Sequence, residues 1–126
     1  MTLVDTDVII WFLRGHRKAA RELERLGEFA VSAVTYMELV QGMRNKEELR
    51  VLRLALRDWG TRVLPITEDI SDRATFYVEE HFLKANLRLA DTLIAATAAL
   101  HAIPLLTGNV KHYRVISDLP LRVFNP

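Results

Sequence analysis

The sequence predicts an α/β fold: a single domain with a central, mainly parallel β-sheet of about five short strands flanked by α-helices. Three observations carry this expectation. Short apolar segments that read as strands alternate with longer helical segments, the pattern of a parallel sheet covered by crossover helices. The chain has 126 residues, the size of one ordinary domain, and no Pro/Gly/Ser-rich linker or internal repeat divides it. Half of it is hydrophobic and 26% is charged, which supplies a core and excludes intrinsic disorder. Residues 1–126 are therefore read as one domain.

Taken in order, Thr2 to Asp5 reads as a short buried strand, with helical character from Val8. Arg17 to Leu26 is a charged amphipathic helix ended near Gly27. Phe29 to Ser32 is a second strand, and Thr35 to Met43 is helical. From Lys46 to Trp59, the residues Leu49, Leu52, Leu56 and Trp59 fall on one apolar stripe of a helix. Arg62 to Pro65 is a third strand. Thr67 then caps a helix with Glu68 and Asp69 in its first turn, where the helix dipole favours acids, and that helix runs to about Leu83. Leu89 to Ala102 is an Ala-rich buried helix, Ile103 to Leu106 a fourth strand, and Leu121 to Phe124 a fifth, with a short helical turn after Asn109.

Several function classes are excluded at once. With no cysteine there is no disulfide scaffold, thiolate metal site or Cys nucleophile. The apolar stretch Val8 to Leu13 is too short for a signal sequence and follows Asp5 and Asp7 rather than basic residues. The longest apolar run, Leu89 to Leu106, is broken by Asp91 and His101 and ended by Pro104, so no membrane span is expected and the protein is read as cytoplasmic. A formal charge of +1 carries no overall sign of a nucleic-acid partner.

Ligands of parallel sheets bind beyond the carboxyl ends of the strands. Acidic residues recur there. Asp5 ends the first strand and Asp7 follows; Glu38 lies just past the second strand; Asp91 opens the Ala-rich helix; Asn109 follows the fourth strand in Thr107-Gly-Asn. Each has an ordinary reading. Thr35-Tyr-Met-Glu38 fits a capping box, Asp91 fits a first-turn acid, and Asn109 fits an Asx turn. Asp5, between Leu3-Val4 and the apolar run from Val8, resists one, because a buried lone carboxylate is costly. A hard divalent cation resolves the repulsion of clustered carboxylates. The lack of Cys and of paired His points to Mg²⁺ rather than zinc.

These residues also match a known family. The segments Leu3-Val-Asp-Thr-Asp-Val-Ile-Ile10, Ser32-Ala-Val-Thr-Tyr-Met-Glu-Leu-Val-Gln-Gly42, Ala90-Asp-Thr-Leu-Ile-Ala-Ala-Thr-Ala98 and Leu106-Thr-Gly-Asn-Val-Lys-His-Tyr113 together resemble the PIN-domain ribonucleases. The resemblance spans essentially the whole chain and is greatest to the VapC toxins of bacterial and archaeal toxin–antitoxin modules. It implies a metal-dependent endoribonuclease in which Asp5, Glu38 and Asp91 hold Mg²⁺ or Mn²⁺. Asn109 takes the place of a fourth acid, and Thr6 and Thr107 supply hydroxyls near the site. Asp7 either supports the metal or caps the following helix. The resemblance further implies an RNA substrate such as tRNA or rRNA, hydrolysed by an activated water to a 3′-hydroxyl and a 5′-phosphate. It also implies a VapB-like antitoxin that inserts a segment across the active-site groove, and a homodimer, for which the apolar surface of the early helices is the expected place.

Arg supplies 13 of the 17 basic residues. Lys46, Arg50, Arg53 and Arg57 form one helical stripe, and Arg14, Arg17, Arg21 and Arg25 another. Individually these are solvated helix positions, with Arg21 or Lys18 pairing to Glu22 or Glu24 nearby. As groups they suit an RNA backbone or an antitoxin tail, with Arg50, Arg53 and Arg57 as the contact set. His16, His81, His101 and His112 lack mutual ligand spacing and read as surface or helix-end residues, while Trp11, Phe12, Tyr36 and Met37 read as core or groove. Two alternatives stay open. Asp5-Thr-Asp7 resembles the Asp-x-Asp nucleophile motif of haloacid-dehalogenase-like phosphatases, although their later paired acids are missing. A catalytically weak PIN domain acting as an RNA-binding module is the other. Turning Asp5, Glu38 and Asp91 inward onto a metal leaves 13 of the 16 acidic residues against 17 basic ones, a balance compatible with a nucleic-acid substrate.

Overall fold

In the computed structural model, which describes residues 1–84 and 86–126, the strands β1 (Leu3–Val4), β2 (Ala30–Ser32), β3 (Arg62–Leu64), β4 (Leu105–Thr107) and β5 (Leu121–Val123) form one sheet. Its order is β3-β2-β1-β4-β5 and every pairing is parallel. Seven helices connect the strands among the described residues: α1 (Thr6–Leu13), α2 (Arg17–Leu26), α3 (Ala33–Gln41), α4 (Lys46–Asp58), α5 (Glu68–His81), α6 (Leu89–His101) and α7 (Val110–Tyr113).

Strand residues alternate between the two faces, and so does the core. Leu3, Ala30 and Leu105 pack with Ile70, Ala74 and Ile94 from α5 and α6. Their neighbours Val4, Val31 and Leu106 turn to the opposite face and pack with Ile9, Leu23 and Leu52 from α1, α2 and α4. Because both faces are covered, the strands read as continuous apolar runs. The stripe on α4 points into the second of these cores, with Leu52 and Leu56 buried and Trp59 packed against Phe12 and Phe29. Gly27 stops α2 in a left-handed conformation, φ +68°, which a side chain would disfavour. Thr67 caps α5 as the sequence predicts, its hydroxyl accepting from Ile70 N at 3.2 Å.

Two helix starts differ from the sequence reading, for one reason each. Helix α1 begins at Thr6 rather than Val8, because Asp5 itself is the cap and its Oδ1 accepts from Thr6 N at 2.8 Å. Helix α3 begins at Ala33 rather than Thr35, because Ser32 caps it through Val34 N at 3.1 Å. That shift removes the capping box expected for Thr35 and Glu38, and places Glu38 at the sixth helical residue.

No helix among the described residues is long and apolar enough to cross a membrane. Exposed apolar side chains gather less on the early helices, where Leu13 and Met37 are the large ones, than around the end of α5 and the start of α6. There Phe76, Phe82, Leu83 and Leu89 are all more than half exposed.

Candidate active site

Strand order reverses direction at β1, which lies between β2 and β4. The carboxyl ends of β1 and β4 therefore border the switch point, where ligands of parallel sheets sit. Asp5 stands there by construction. Its N–H still donates to Leu106 O in the ladder at 2.9 Å, while its side chain turns to cap α1. The second oxygen, Oδ2, accepts from Thr107 Oγ1 at 2.7 Å, and that hydroxyl in turn accepts from Asn109 N at 2.9 Å. Only 4% of Asp5 is exposed.

Asp7 lies in the first turn of α1 but does not cap it. It crosses to β4, where Oδ2 accepts from Gly108 N at 2.9 Å. A Cβ at Gly108 would come within 2.7 Å of that same oxygen, so a glycine is needed for the approach. The other oxygen, Asp7 Oδ1, is buried with no hydrogen-bond partner among the described residues.

Thr35 and Glu38 share a face of α3 at i,i+3 spacing. Thr6 Oγ1 stands 2.8 Å from Glu38 Oε1 and 2.9 Å from Thr35 Oγ1. A hydroxyl carries one proton, so when Thr6 donates to Glu38 it accepts from Thr35. Asp91 is the third residue of α6 and does act as a first-turn acid, its Oδ2 accepting from Arg88 N at 3.1 Å. It also faces the site: the buried Tyr113 hydroxyl donates to Asp91 Oδ1 at 3.3 Å, and His112 Nδ1 is 3.6 Å from Oδ2.

The electrostatics are those of a site short of positive charge. Burial pushes the Asp5 carboxyl up to about 7, aided by the negative charges of Asp7 and Asp91 and opposed by the hydrogen bonds from Thr107 and Thr6. Burial likewise raises Asp7, opposed by the N–H groups of Gly108, Val8 and Asp7 itself, with Asp91 adding repulsion. The Tyr113 hydroxyl is held far above its usual value by burial and by Asp5 and Asp91, so it is a permanent donor.

Asp5, Asp7, Asp91 and Thr107 thus come together, with Glu38 joined to them through Thr6. Asn109 contributes its backbone N–H to Thr107, and its side chain is exposed. Among the described residues, no three His, Asp or Glu side chains close into a ready-made metal cage. The chemistry of the set nevertheless fits a hard divalent cation: the donors are all oxygen, two carboxylates are pushed up by burial and by neighbouring carboxylates, and one buried oxygen is orphaned.

Sequence reasoning missed Tyr113, His112 and Gly108. The available signals were the single helical turn after Asn109, which folds residues 112 and 113 back over the sheet edge, and a glycine flanked by polar residues at a strand end. Three arginines of the α4 stripe have neighbours on this chain. Arg50 pairs with Glu47 at 2.6 Å, Arg53 Nε donates to Tyr36 Oη at 3.3 Å, and Arg57 lies 3.7 Å from Asp58. The partner of Glu22 is Arg25, not Arg21 or Lys18. Beside Glu38, a groove of about 490 Å³ opens between α1, α3 and α4, lined by Ile10, Leu39, Met43 and Val51 with Arg14 at its edge.

A family model described as PIN domain matches residues 2–116. Among curated proteins, the chain is 40% identical to Ribonuclease VapC10 of Mycobacterium tuberculosis, over 94% of this chain and 90% of that protein. Among solved structures, it resembles a chain of a toxin–antitoxin complex from Klebsiella pneumoniae, with a TM-score of 0.81, 31% identity and coverage of 94% and 95%. The fold also matches VapBC2 from Rickettsia felis bound to a promoter DNA fragment, with a TM-score of 0.84 at 18% identity, covering 98% of each chain.

Proposed function

This chain belongs to the PIN-domain family, in its VapC-like branch, and from that premise we propose that it is a divalent-metal-dependent endoribonuclease, the toxin of a VapBC-type module. The single observation that carries the reading is the carboxylate set at the switch point, in which Asp5 is pushed up to about 7 and Asp7 Oδ1 has no partner among the described residues. Asp5, Asp91 and Glu38 are the proposed ligands of Mg²⁺ or Mn²⁺, with Asp7 in support. Bound there, such a cation lowers the pKa of a water and neutralises charge developing on the phosphoryl oxygens.

The chain's own residues do the rest. Thr107 holds Asp5 by Oδ2 and so fixes its orientation. Thr6 and Thr35 steer Glu38, and Tyr113 steers Asp91. The exposed Asn109 side chain would hydrogen-bond a water or a phosphate oxygen. The substrate is RNA, of which tRNA and rRNA are the candidates. The apolar groove beside Glu38 suits an antitoxin segment lying across the site, and a homodimer is part of the same reading.

The test is incubation of the purified chain with labelled tRNA and other RNAs in Mg²⁺, Mn²⁺ or EDTA, beside Asp5→Asn and Asp91→Asn. Metal-dependent cleavage lost in both variants supports the ribonuclease. Release of phosphate from a small monoester without RNA cleavage overturns it in favour of a phosphatase. RNA retention with neither reaction leaves a binding module.

A further inference from the structure

A second concave surface lies between α2 and the segment that follows β5. Helix α2 contributes Lys18, Arg21, Glu22 and Arg25, the end of β5 contributes Val123, and Phe124 and Asn125 follow it, around a groove of about 290 Å³. We propose that this groove binds the phosphate backbone of the RNA flanking the cut, with Lys18 and Arg21 as the phosphate-contacting residues. The proposal rests on the ribonuclease reading above and assigns the path of its substrate.

Position is the first argument. Phe124 N donates to Thr107 O at 2.8 Å, and Thr107 in turn holds Asp5. Phe124 O is also 3.4 Å from the place a Cβ would take on Gly108, whose N–H holds Asp7. The wall of the groove is thus joined directly to the residues that position the carboxylates. Strands β1, β4 and β5 are consecutive neighbours in the sheet. At about 4.8 Å per strand, the groove begins roughly 10 Å from Asp5. A polymer with one phosphate at the acidic site crosses that distance within a short segment.

Charge is the second argument. The groove sets three cations against one carboxylate. Arg25 is engaged by Glu22, and the charge of Arg122 also reaches Glu22. Lys18 and Arg21 are both exposed and form no ion pair among the described residues. Along α4, Arg50 and Arg57 lie beside carboxylates and Arg53 Nε donates to Tyr36 Oη, so a phosphate meets competing acceptors there. Free cations with an adjacent concave wall, beside a site that itself repels phosphate until a cation fills it, are what an extended polyanion needs for binding away from the reacting group. Asn125 adds a neutral hydrogen-bonding group at the rim.

The experiment uses the full chain, a short fluorescein-labelled single-stranded oligoribonucleotide, and anisotropy in EDTA over a range of KCl concentrations. Lys18→Ala/Arg21→Ala is compared with Arg50→Ala/Arg53→Ala/Arg57→Ala, each checked by thermal melting. The groove variant is expected to bind several-fold more weakly, with a salt slope shallower by about 1.4, two single-strand phosphate contacts at about 0.7 each. In Mg²⁺ its KM for RNA rises while kcat stays. Lys18→Arg/Arg21→Lys keeps both charges and should bind like the parent. Unchanged affinity and slope in the groove variant overturn the proposal. So does a loss confined to the α4 variant, and so does absence of RNA binding by the parent chain. Weaker binding of an oligoglutamate peptide with unchanged RNA binding also overturns it, because the groove is then a protein interface. Groove-dependent binding without any cleavage by the parent chain removes the ribonuclease reading, and with it the path to a cut, while RNA contact by Lys18 and Arg21 remains, so the two failures are told apart.

Discussion

Thr107 Oγ1 donates a 2.7 Å hydrogen bond to Asp5 Oδ2 across 102 residues of sequence, and the same oxygen accepts from Asn109 N. One side chain thereby ties the end of β4, the cap of α1 and the start of the following loop. Thr107→Val keeps the shape and removes the hydroxyl. Above about pH 7, where Asp5 is ionised, it should cost about 1.5–3 kcal/mol, the range for a hydrogen bond to a charged group, and more if Asn109 N stays unpaired. Urea denaturation measures this; a midpoint within error of the parent contradicts the role given to Thr107.

Asp5 should be a burden on the metal-free protein. Its folded value of about 7 lies above the unfolded 3.8, so between those values the native state holds the extra proton. Stability is then full below about pH 4 and falls as pH rises through 7, by up to about 4 kcal/mol from this group. Asp5→Asn should be more stable than the parent in EDTA at about pH 8 and similar near pH 4. Added Mg²⁺ should raise the melting temperature of the parent and leave the variant unmoved. Melts of both proteins at the two pH values, with and without Mg²⁺, decide it; a variant less stable than the parent at the higher pH in EDTA refutes the account.

Tyr113 is a positioning residue for Asp91. Its hydroxyl is buried, cannot ionise in the working range, and meets Asp91 Oδ1 at 3.3 Å. Tyr113→Phe preserves the packing of the ring and leaves one carboxylate oxygen free to rotate. The expected result is Mg²⁺ affinity weakened roughly 10-fold, in the range seen when outer partners of metal ligands are lost. Calorimetric titration of Mg²⁺ reads this without recourse to turnover, and unchanged affinity makes the hydrogen bond merely structural.

Gly108→Ala tests the crossing of Asp7 to β4. The new Cβ meets Asp7 Oδ2 at 2.7 Å and Phe124 O at 3.4 Å, so Asp7 must leave the Gly108 N–H. Overpacking of this kind costs about 1–3 kcal/mol. RNA cleavage should fall further than that loss of stability explains, since Asp7 adjoins the proposed ligands. Cleavage rates compared at a temperature where both proteins are fully folded provide the check; equal rates place Asp7 outside the working site.

Much of this was legible in the residues. The parallel sheet follows from apolar runs too short for helices and separated by helical stretches. Asp5 stands out because a carboxylate between Val4 and Val8 is set against the core, and the structure shows that it also caps α1. Glu38 was harder: the string Thr35-Tyr-Met-Glu38 carries the signature of a cap, and only the competing cap at Ser32 moves it to mid-helix. Asp91 turned out to be both things at once, a first-turn acid and a site residue. Tyr113 and Gly108 were out of reach because their partners lie 22 and 101 positions away, and no periodicity reports such contacts. For the α4 stripe, helical spacing shows that the arginines share a face but not that Glu47 and Tyr36 stand beside Arg50 and Arg53.

The place of β1 in the middle of the sheet has a consequence in time. Asp5 leaves the ribosome early, yet its partner Thr107 lies on β4, which pairs with β1 only after the intervening helices have been made. At about 5–20 residues per second, roughly 5–20 seconds separate the two. Through that interval the nascent chain carries its acids without the strand that gathers them. An aborted translation product ending before β4 would lack both Thr107 and Gly108, the partners that hold Asp5 and Asp7.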